Sequence, residues 1–300
     1  MKIVITGHAG FLGLNLTSNF LKKNYSVIGL DNKKTRVFKK YKNFSQHKVN
    51  LSNSKKIYSL FNKIKKVDII IHVAAKQPFK KDTHLQKYLK TNFDGTKNIL
   101  EACKYFKIKN IIYCSSFSVY GSEKSPIRED TTPNPRNTYG LSKYLGESLV
   151  RYFADKFNIN STILRLDGIY GNNQNLPGLI KTLFKSAIRN KEILLFNKGK
   201  LKRNQVYVED VVVAINLVIK KIKKFKFEIF NIGGQKPISS LDISKKIIKI
   251  CKSKSKIILS NKSLNFSQDI FLDINKAKKL LNFKPNVIEN NLKKMFQNVE

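Results

Sequence analysis

The segment TGHAGFLG (residues 6–13) decides the fold of this chain. It lies between a short apolar run, KIVIT (2–6), and a stretch with helical periodicity (11–23). Its first glycine permits a tight turn, its second lets the backbone approach a pyrophosphate, and its third lets the helix pack closely on the strand. The free N–H groups at the start of the helix would then face the diphosphate. The segment therefore predicts the phosphate-binding turn of a dinucleotide site.

Asp31 predicts which dinucleotide is bound. It closes a second apolar strand, YSVIGL (25–30). A carboxylate at this position accepts hydrogen bonds from both hydroxyls of the adenosine ribose and repels the 2′-phosphate of NADP, so we expect NAD. Lys33, Lys34 and Arg36 follow closely and could accommodate a phosphate, which keeps NADP as the second choice.

Apolar strands alternate with helices over the first half of the chain. We expect further strands at 47–51, 67–74, 109–115 and 161–166, and helices near 54–64, 84–106 and 138–157. Continuous apolar strands separated by long helices are typical of a parallel sheet that is covered on both faces. The predicted fold class is therefore α/β, with a doubly wound, Rossmann-like parallel sheet that binds ligands at the carboxyl ends of its strands.

The alternation weakens beyond residue 171. The pattern there predicts a loop at 172–178 and helices at 179–190, 206–223 and 241–251. We expect an NAD-binding domain over 1–171, to which 205–235 returns. The remaining segments, 172–204 and 236–300, would form a smaller, discontinuous substrate-binding lobe.

Tyr139 and Lys143 are the candidate proton-transfer pair. The segment YGLSK (139–143) opens a helix, so the two side chains lie one turn apart on the same face. A lysine ammonium and a nicotinamide cation would both favour the phenolate, and lowering the tyrosine pKa by about three units requires roughly 4 kcal/mol. Ser116 follows the strand at 109–115, where its hydroxyl can donate to the reacting oxygen.

These motifs together resemble the extended short-chain dehydrogenase/reductases, the NAD-dependent epimerase/dehydratase family that includes UDP-glucose 4-epimerase. The resemblance covers nearly the whole chain. It rests on TGHAGFLG (6–13), LDN (30–32), HVAA (72–75), NFDGTKNILEAC (92–103), SSFSVYG (115–121), YGLSK (139–143), LRLDGIYG (164–171), YVEDVV (207–212) and FNIGG (230–234). It implies that Ser116, Tyr139 and Lys143 are catalytic and that Asn92 supports the backbone of the active site.

The resemblance also assigns binding residues. The expected cofactor contacts are Gly7, Gly10, Phe11, Leu12, Gly13, Asp31, Asn32, Asn50, Leu51, Ala74, Ala75, Asn92, Tyr139 and Lys143. The expected substrate contacts are Ser116, Phe117, Ser118 and Arg203. Asn50 replaces an acidic residue that often contacts adenine, and its amide oxygen can still accept a hydrogen bond. Members of the family commonly form homodimers through the helices that match 84–106 and 138–157.

The chain departs from the family pattern where the substrate is recognised. Phe117 and Ser118 stand where dehydratases carry an Asp-Glu pair, and because elimination of water needs an added acid and base, dehydration is disfavoured. Gly168 stands where epimerases often carry Asn. Arg203 matches a family arginine and could bind a substrate phosphate through two hydrogen bonds. The later diphosphate-binding arginine of the family has no clear match near 262–273.

Three functions stay open from the sequence. The leading hypothesis is a nucleotide-sugar epimerase, which oxidises a sugar hydroxyl to a transient ketone and returns the hydride to the opposite face. The second is a reductase of a 4-keto nucleotide sugar or a related carbonyl, which would consume NAD(P)H. The third is a nucleic-acid-binding protein, because 58 basic residues against 20 acidic ones give a net charge of +38. The lysines are scattered over the chain and the catalytic set is complete, so we do not favour the third.

Cysteine, histidine and hydropathy patterns bear on metals and compartment. Cys103, Cys114 and Cys251 lie far apart, as expected for thiols in a reducing compartment. The histidines show no metal-ligand spacing, so no metal site is expected. No apolar run reaches the ~18–20 residues that cross a bilayer, and no signal peptide is recognised, so we expect a cytoplasmic protein without a membrane partner.

Overall fold

The computed structural model describes residues 1–78, 84–174, 177–263 and 268–297. Its strands are β1 (Lys2–Thr6), β2 (Ser26–Asp31), β3 (Phe44–Lys48), β4 (Ile69–His72), β5 (Asn110–Ser116), β6 (Asn160–Leu166), β7 (Ile169–Tyr170), β8 (Ile193–Leu195), β9 (Lys202–Arg203), β10 (Val206–Tyr207), β11 (Phe227–Ile232), β12 (Ile238–Ser239) and β13 (Ile257–Leu259). Its α-helices are α1 (Phe11–Lys22), α2 (Ser54–Ile64), α3 (Leu85–Tyr88), α4 (Asp94–Tyr105), α5 (Thr138–Phe157), α6 (Leu179–Ile188), α7 (Val208–Lys221), α8 (Ser240–Ile250), α9 (Asn275–Leu281) and α10 (Ile288–Gln297).

Seven strands form the main sheet, in the order β11-β6-β5-β4-β1-β2-β3. The pairings among β1 to β5 are parallel, and Ile3 lies between Val27 of β2 and Ile69 of β4. The order from β3 to β6 is that of dinucleotide-binding sheets, which bind ligands where the strand order reverses, here between β1 and β4. The predicted doubly wound, Rossmann-like α/β fold is confirmed.

Burial explains why the central strands are continuous apolar runs. Val4, Ile70 and Ile111 are fully buried in one core cluster together with residues from the covering helices. Helix α2 shows the complementary pattern, because its buried side chains recur at i, i+3, i+4 and i+7 from Ile57. Helix α5 begins where the Asn137 side chain accepts a hydrogen bond from the backbone N–H of Gly140, at 2.7 Å.

Several predicted elements differ in extent from the observed ones. The strand predicted at 47–51 is β3, which ends at Lys48; its sequence FSQHK has no apolar run because β3 is the edge strand and is only partly buried. The strand predicted at 67–74 is shorter, at 69–72. The first two residues of the helix predicted at 206–223 are a strand instead: Val206 and Tyr207 pair with β7, and α7 begins after them. The helix predicted at 84–106 is interrupted by a π-helical segment, Leu89–Phe93.

The chain divides into two compact units, and their limits differ from the predicted domains. The first unit contains Met1–Ser122, Thr131–Arg165 and Val212–Phe230, and the second contains Glu123–Asp130, Leu166–Val211 and Asn231–Glu300. The pairing of β7 with β10 places 166–171 and 205–211 in the second unit. Segments 123–130 and 231–235 also belong to the second unit. Asn231 joins them, because its backbone N–H donates to Glu129 at 2.8 Å and its side chain donates to the carbonyl of Ile127 at 2.9 Å.

In the ranges that the structure describes, no helix combines the length and the apolarity that a membrane span requires.

Candidate active site

The glycine turn after β1 leaves no room for side chains. Gly7 has φ 72°, and a Cβ placed on it would lie 2.8 Å from backbone atoms of Ala74. A Cβ on Gly13 would lie 2.0 Å from the carbonyl oxygen of Gly7. Only glycine allows helix α1 and the chain after β4 to approach the turn this closely. The backbone of this turn is therefore open enough to accept the pyrophosphate of a dinucleotide.

The Asp31 carboxylate is held beside the glycine turn. One oxygen accepts a hydrogen bond from the backbone N–H of Ala9 at 3.1 Å, and the other accepts one from Lys33 at 3.0 Å. The side chain is partly exposed and lies at the end of β2, where a ribose can reach it. Asn32 follows it and is exposed. This arrangement is compatible with the contact to adenosine ribose expected from the sequence.

Asn50 is less available for adenine than the sequence suggested. Its side-chain oxygen accepts hydrogen bonds from the backbone N–H and the hydroxyl of Ser52, at 3.1 and 3.0 Å. Both lone pairs of the amide oxygen are therefore used within its own turn. The neighbouring Leu51 is buried, and its carbonyl accepts a hydrogen bond from Asn98 at 2.8 Å.

The other expected cofactor residues lie around the same turn. Phe11 and Leu12 form the first turn of α1, and Leu12 is buried. Ala74 and Ala75 follow β4, where the backbone N–H of Ala74 donates to the Thr6 hydroxyl at 3.2 Å. These residues and the catalytic set all belong to the first unit.

Asn92 joins the chain after β4 to helix α5. Its side-chain oxygen accepts from the backbone N–H of Lys76 at 2.7 Å, and its amide donates to the Ser142 hydroxyl at 2.8 Å. The Ser142 hydroxyl in turn donates to the carbonyl of Tyr139 at 2.7 Å. The side chain thus fixes the first turn of α5, which agrees with the support role that the resemblance implies.

His72 extends this network to strand β1, which precedes the glycine turn. Thr96 donates its only hydroxyl proton to the carbonyl of Asn92 at 2.6 Å, so it must accept from Nε2 of His72 at 2.9 Å. Nδ1 of His72 then accepts from the Thr6 hydroxyl at 2.6 Å. Burial, with a smaller effect of the Lys143 charge, lowers the pKa of His72 to about 3, so the ring is neutral. The motif HVAA (72–75) includes His72, but the sequence analysis predicted no role for His72 or Thr96.

Ser116, Tyr139 and Lys143 lie together at the carboxyl end of β5 and the start of α5, and all three are buried. Tyr139 is hydrogen-bonded to the side chains of Ser116 and Gln77. The Ser116 hydroxyl also accepts from the backbone N–H of Ser118 at 3.2 Å. The structure therefore brings the predicted catalytic residues together.

Burial controls the protonation of this group. It raises the pKa of Tyr139 to about 12, against the lowering effect of the hydrogen bonds from Ser116 and Gln77. It also lowers the pKa of Lys143 to about 8. The sequence predicts that Lys143 and the nicotinamide cation together favour the phenolate; with neither substrate nor cofactor bound, desolvation outweighs the other contributions to the Tyr139 pKa.

Phe117 and Ser118 form a short 3₁₀ turn directly after Ser116. A Cβ on Gly140 would lie 2.4 Å from the carbonyl oxygen of Ser118, so the turn packs tightly against the start of α5. Neither residue is acidic, as the sequence already indicated. In the described ranges, no group of three or more His, Cys, Asp or Glu side chains is arranged to hold a metal ion.

Arg203 lies in the second unit, beside a carboxylate that the sequence did not single out. Its Nη1 is 3.9 Å from Oδ1 of Asp167, whose side chain is 1% exposed. Burial raises the pKa of Asp167, whereas Arg203 and backbone N–H groups lower it. A Cβ on Gly168 would lie 2.9 Å from Nε2 of Gln205, so the glutamine fills the space that an Asn at 168 would need. The pattern around Arg203 could not reveal Asp167 as its partner, because the two residues are distant in sequence.

Comparison with known proteins gives consistent matches along the chain. A model described as "NAD dependent epimerase/dehydratase family" matches residues 3–233. An uncharacterized UDP-glucose epimerase of Bacillus subtilis, YtcB, is 31% identical over 95% of this chain and 93% of its own length. The crystal structure of a Bacillus cereus UDP-glucuronic acid 4-epimerase with UDP-glucuronic acid and NAD is 28% identical, with a TM-score of 0.89 over 100% of this chain and 99% of that one. A Thermotoga maritima UDP-glucose 4-epimerase, solved with UDP-glucose, is 25% identical and also has a TM-score of 0.89, with 100% and 99% covered.

Proposed function

Because this chain belongs to the NAD dependent epimerase/dehydratase family, we propose that it is an NAD-dependent 4-epimerase of UDP-sugars. The observation that carries the proposal is the hydrogen bond between Ser116 and Tyr139, with Lys143 one turn further along α5. The glycine turn and Asp31, in the same unit, fit NAD. The similar proteins that act on UDP-glucose and UDP-glucuronic acid support UDP-sugars as the substrate class.

The side chains divide the chemistry between them. When bound, NAD supplies the acceptor and then the donor of a hydride. Tyr139 takes the proton of the sugar hydroxyl, and Ser116 donates a hydrogen bond to the same oxygen. Lys143 favours the phenolate by its charge and would hold the nicotinamide ribose with its N–H groups. After the ketone turns its other face, the same groups return the proton.

The residues next to Ser116 favour epimerisation over loss of water. Phe117 and Ser118 offer no acid or base that could assist elimination. Arg203 would hold a phosphate of the UDP moiety, with Asp167 as its buried counter-ion. A net reductase would share Ser116 and the other catalytic residues, so it is separated from an epimerase by turnover of the cofactor.

Proton NMR of the purified protein with UDP-glucose, UDP-galactose, UDP-glucuronic acid and their N-acetylated counterparts tests the proposal. No cofactor is added, so that only an enzyme that regenerates its cofactor shows turnover. We expect conversion of one sugar to its 4-epimer, and we expect Tyr139→Phe to lower the rate at least ~100-fold. Tyr152→Phe, on the exposed side of the same helix, is the matched control and should keep the wild-type rate.

The outcomes separate the hypotheses. Conversion that Tyr139→Phe leaves intact would overturn the assigned role of the tyrosine. No conversion of any UDP-sugar, together with oxidation of added NAD(P)H by 4-keto sugars, would replace the epimerase with the reductase.

We also propose that the protein is a cytoplasmic homodimer. The helices implied by the resemblance are α4 and α5, and each exposes a large aromatic side chain: Tyr105 is 68% exposed and Tyr152 is 52% exposed. Exposed aromatic residues of this kind are enriched at protein interfaces. The three cysteines are thiols, which suits a reducing compartment. Light scattering should give twice the chain mass for the wild type and one chain mass for Tyr152→Glu; a monomeric wild type would contradict the dimer.

A further inference from the structure

The ammonium group of Lys143 rests on an aromatic ring. Its Nζ lies 4.0 Å from the centroid of the Tyr113 ring, and the lysine is only 1% exposed. Among the residues that the structure describes, the ammonium contacts this ring face and donates no hydrogen bond. A buried ammonium without a carboxylate partner is unusual, because desolvation strongly disfavours the charge.

The nearest charged and titratable groups do not replace the ring. Glu147 lies one turn beyond Lys143 on α5, but its two carboxylate oxygens accept hydrogen bonds from Arg165, the shortest at 2.7 Å. Cys114, on β5, is a neutral thiol, because burial raises its pKa to about 12. His72, on β4, is neutral as well. The carboxylate that could have paired with Lys143 is therefore committed to a guanidinium.

The Tyr113 ring is held in place from three sides. It lies next to the His72 ring, with 5.6 Å between the centroids and 34° between the planes. Its hydroxyl donates to the carbonyl of Lys143 at 3.4 Å. A Cβ on Gly146 would lie 2.2 Å from the same hydroxyl, so the glycine opens the space that the phenol occupies. The ring is thus fixed along α5, under the turn that carries the lysine.

We propose that Tyr113 is a positioning residue whose ring face supports the Lys143 ammonium and leaves its N–H groups for the nicotinamide ribose and Tyr139. The attraction of a cation to a ring face is electrostatic but uses none of the hydrogen bonds of the cation, whereas a carboxylate would occupy N–H groups and cancel the charge. The positive charge is then retained where the phenolate forms. This role rests on the proposed function of Lys143 in binding NAD.

A series of phenylalanine analogues at position 113 tests the proposal with almost constant shape. Tyr113→Phe is the reference, and 4-fluoro-, 3,5-difluoro- and 3,4,5-trifluorophenylalanine weaken the negative face of the ring stepwise. The first measurement is the pKa of Lys143 in the protein without cofactor, followed by NMR of ¹³C-labelled lysine and assigned with Lys143→Arg. The second is the dissociation constant of NAD by calorimetry.

We expect the pKa of Lys143 to fall with each fluorine, and the dissociation constant of NAD to rise by about five- to tenfold from phenylalanine to the trifluoro analogue at neutral pH. The same series at Tyr120, whose ring lies 4.7 Å from the guanidinium of Arg165, is the matched control and should leave Lys143 unchanged. Thermal unfolding of every variant checks that the fold is kept.

A pKa of Lys143 that stays constant across folded variants would overturn the proposal. The two proposals can fail separately, because the titration of Lys143 needs neither cofactor nor substrate. If the pKa of Lys143 falls stepwise and no UDP-sugar is converted, Tyr113 supports the lysine and the protein is not a UDP-sugar epimerase. If UDP-sugars are converted and the pKa of Lys143 stays constant, the protein is an epimerase and Tyr113 does not support the lysine. If Tyr113→Phe itself fails to fold, Gly146→Ala, which pushes against the ring hydroxyl, gives the alternative measurement and should lower the pKa of Lys143.

Discussion

Asp167 is a buried carboxylate beside Arg203. Its charge should lower the stability of the fold, while its position next to Arg203 bears on substrate binding. Its Oδ2 is buried and has no hydrogen-bond partner among the described residues, and Oδ1 accepts from the backbone N–H of Gly168 at 2.6 Å. Burial raises its pKa in spite of the nearby Arg203 charge. A group whose pKa is higher in the folded state stabilises the fold while it is protonated, and that contribution is lost as the pH rises through the folded pKa.

Asp167→Asn should therefore unfold at a higher temperature than the wild type at pH 7, because the buried charge is removed. The difference should shrink as the pH falls from 7 through the folded pKa of Asp167, which burial holds above the ordinary value of a carboxyl group. UDP should bind more weakly to the variant if Asp167 acts by holding the Arg203 guanidinium in place, and more tightly if its negative charge only offsets that of Arg203. Calorimetric melting across this pH range and titration with UDP measure both effects.

Asp130→Asn is the control for this change, since Asp130 is exposed beside Arg128 and its neutralisation should leave the melting temperature nearly unchanged. A variant at position 167 that melts lower than the wild type at every pH would show that the buried carboxylate is net stabilising.

Helix α5 and strand β5 form one functional element because they approach each other at Gly146. Alanine favours a helix over glycine by about 1 kcal/mol, so Gly146→Ala would stabilise an isolated helix. In the protein, the added Cβ meets the Tyr113 hydroxyl at 2.2 Å, which cannot be kept without movement. The sign of the stability change thus reports whether packing or helix propensity dominates.

We expect Gly146→Ala to lower the free energy of unfolding by about 2 kcal/mol, because overpacking in a buried contact exceeds the gain in propensity. Tyr113→Phe in the same chain should recover part of this loss, since it removes the closest clashing atom and leaves the ring Cζ, 2.9 Å from the added Cβ. Urea unfolding of the single and double variants measures the coupling. Ser148→Ala, on the exposed side of α5, should show no such coupling; equal losses with and without the Tyr113 hydroxyl would refute the contact.

Local patterns were sufficient to predict most elements of the fold, and with the family resemblance they indicated the candidate catalytic residues. The apolar runs of β1 and β5 and the cap before α5 follow from neighbouring residues, and so does the spacing of Tyr139 and Lys143. The edge strand β3 was misplaced because an exposed edge needs no apolar run. Local patterns could not indicate Tyr113 and His72, because their contacts join distant parts of the chain. His72 bonds to Thr96, 24 residues away, and Tyr113 bonds to Lys143, 30 residues away.

The whole molecule carries a net charge of +38, and few carboxylates offset it. The ion pairs Lys104–Glu101 and Arg128–Asp130 are solvent-exposed, and such pairs contribute little to stability. Self-repulsion of the lysines therefore opposes compaction, and it weakens as salt shortens the screening length. The same field would attract RNA at low salt without forming a specific site.

The melting temperature should rise when NaCl is increased from about 0.02 M to about 0.5 M, by several degrees. Most of the rise should occur below roughly 0.2 M, where the screening length changes most and specific salt effects are small. Differential scanning calorimetry measures it, and RNA retention on a filter over the same salt range provides the comparison. A flat melting temperature would show that the charges are already well separated, and RNA retained at about 0.15 M salt would revive the nucleic-acid hypothesis.

The hydrogen-bonded series from Thr6 through His72, Thr96 and Asn92 to helix α5 has a consequence for protein engineering. Changes at the end of β1 that are intended to alter cofactor preference would also move the backbone of Tyr139. The Asp31 carboxylate accepts hydrogen bonds only from its own loop and from the glycine turn among the described residues, so it lies outside this series. A designer who wishes to convert the protein to NADP should therefore begin at Asp31 and the lysines that follow it, and leave Thr6 and His72 untouched.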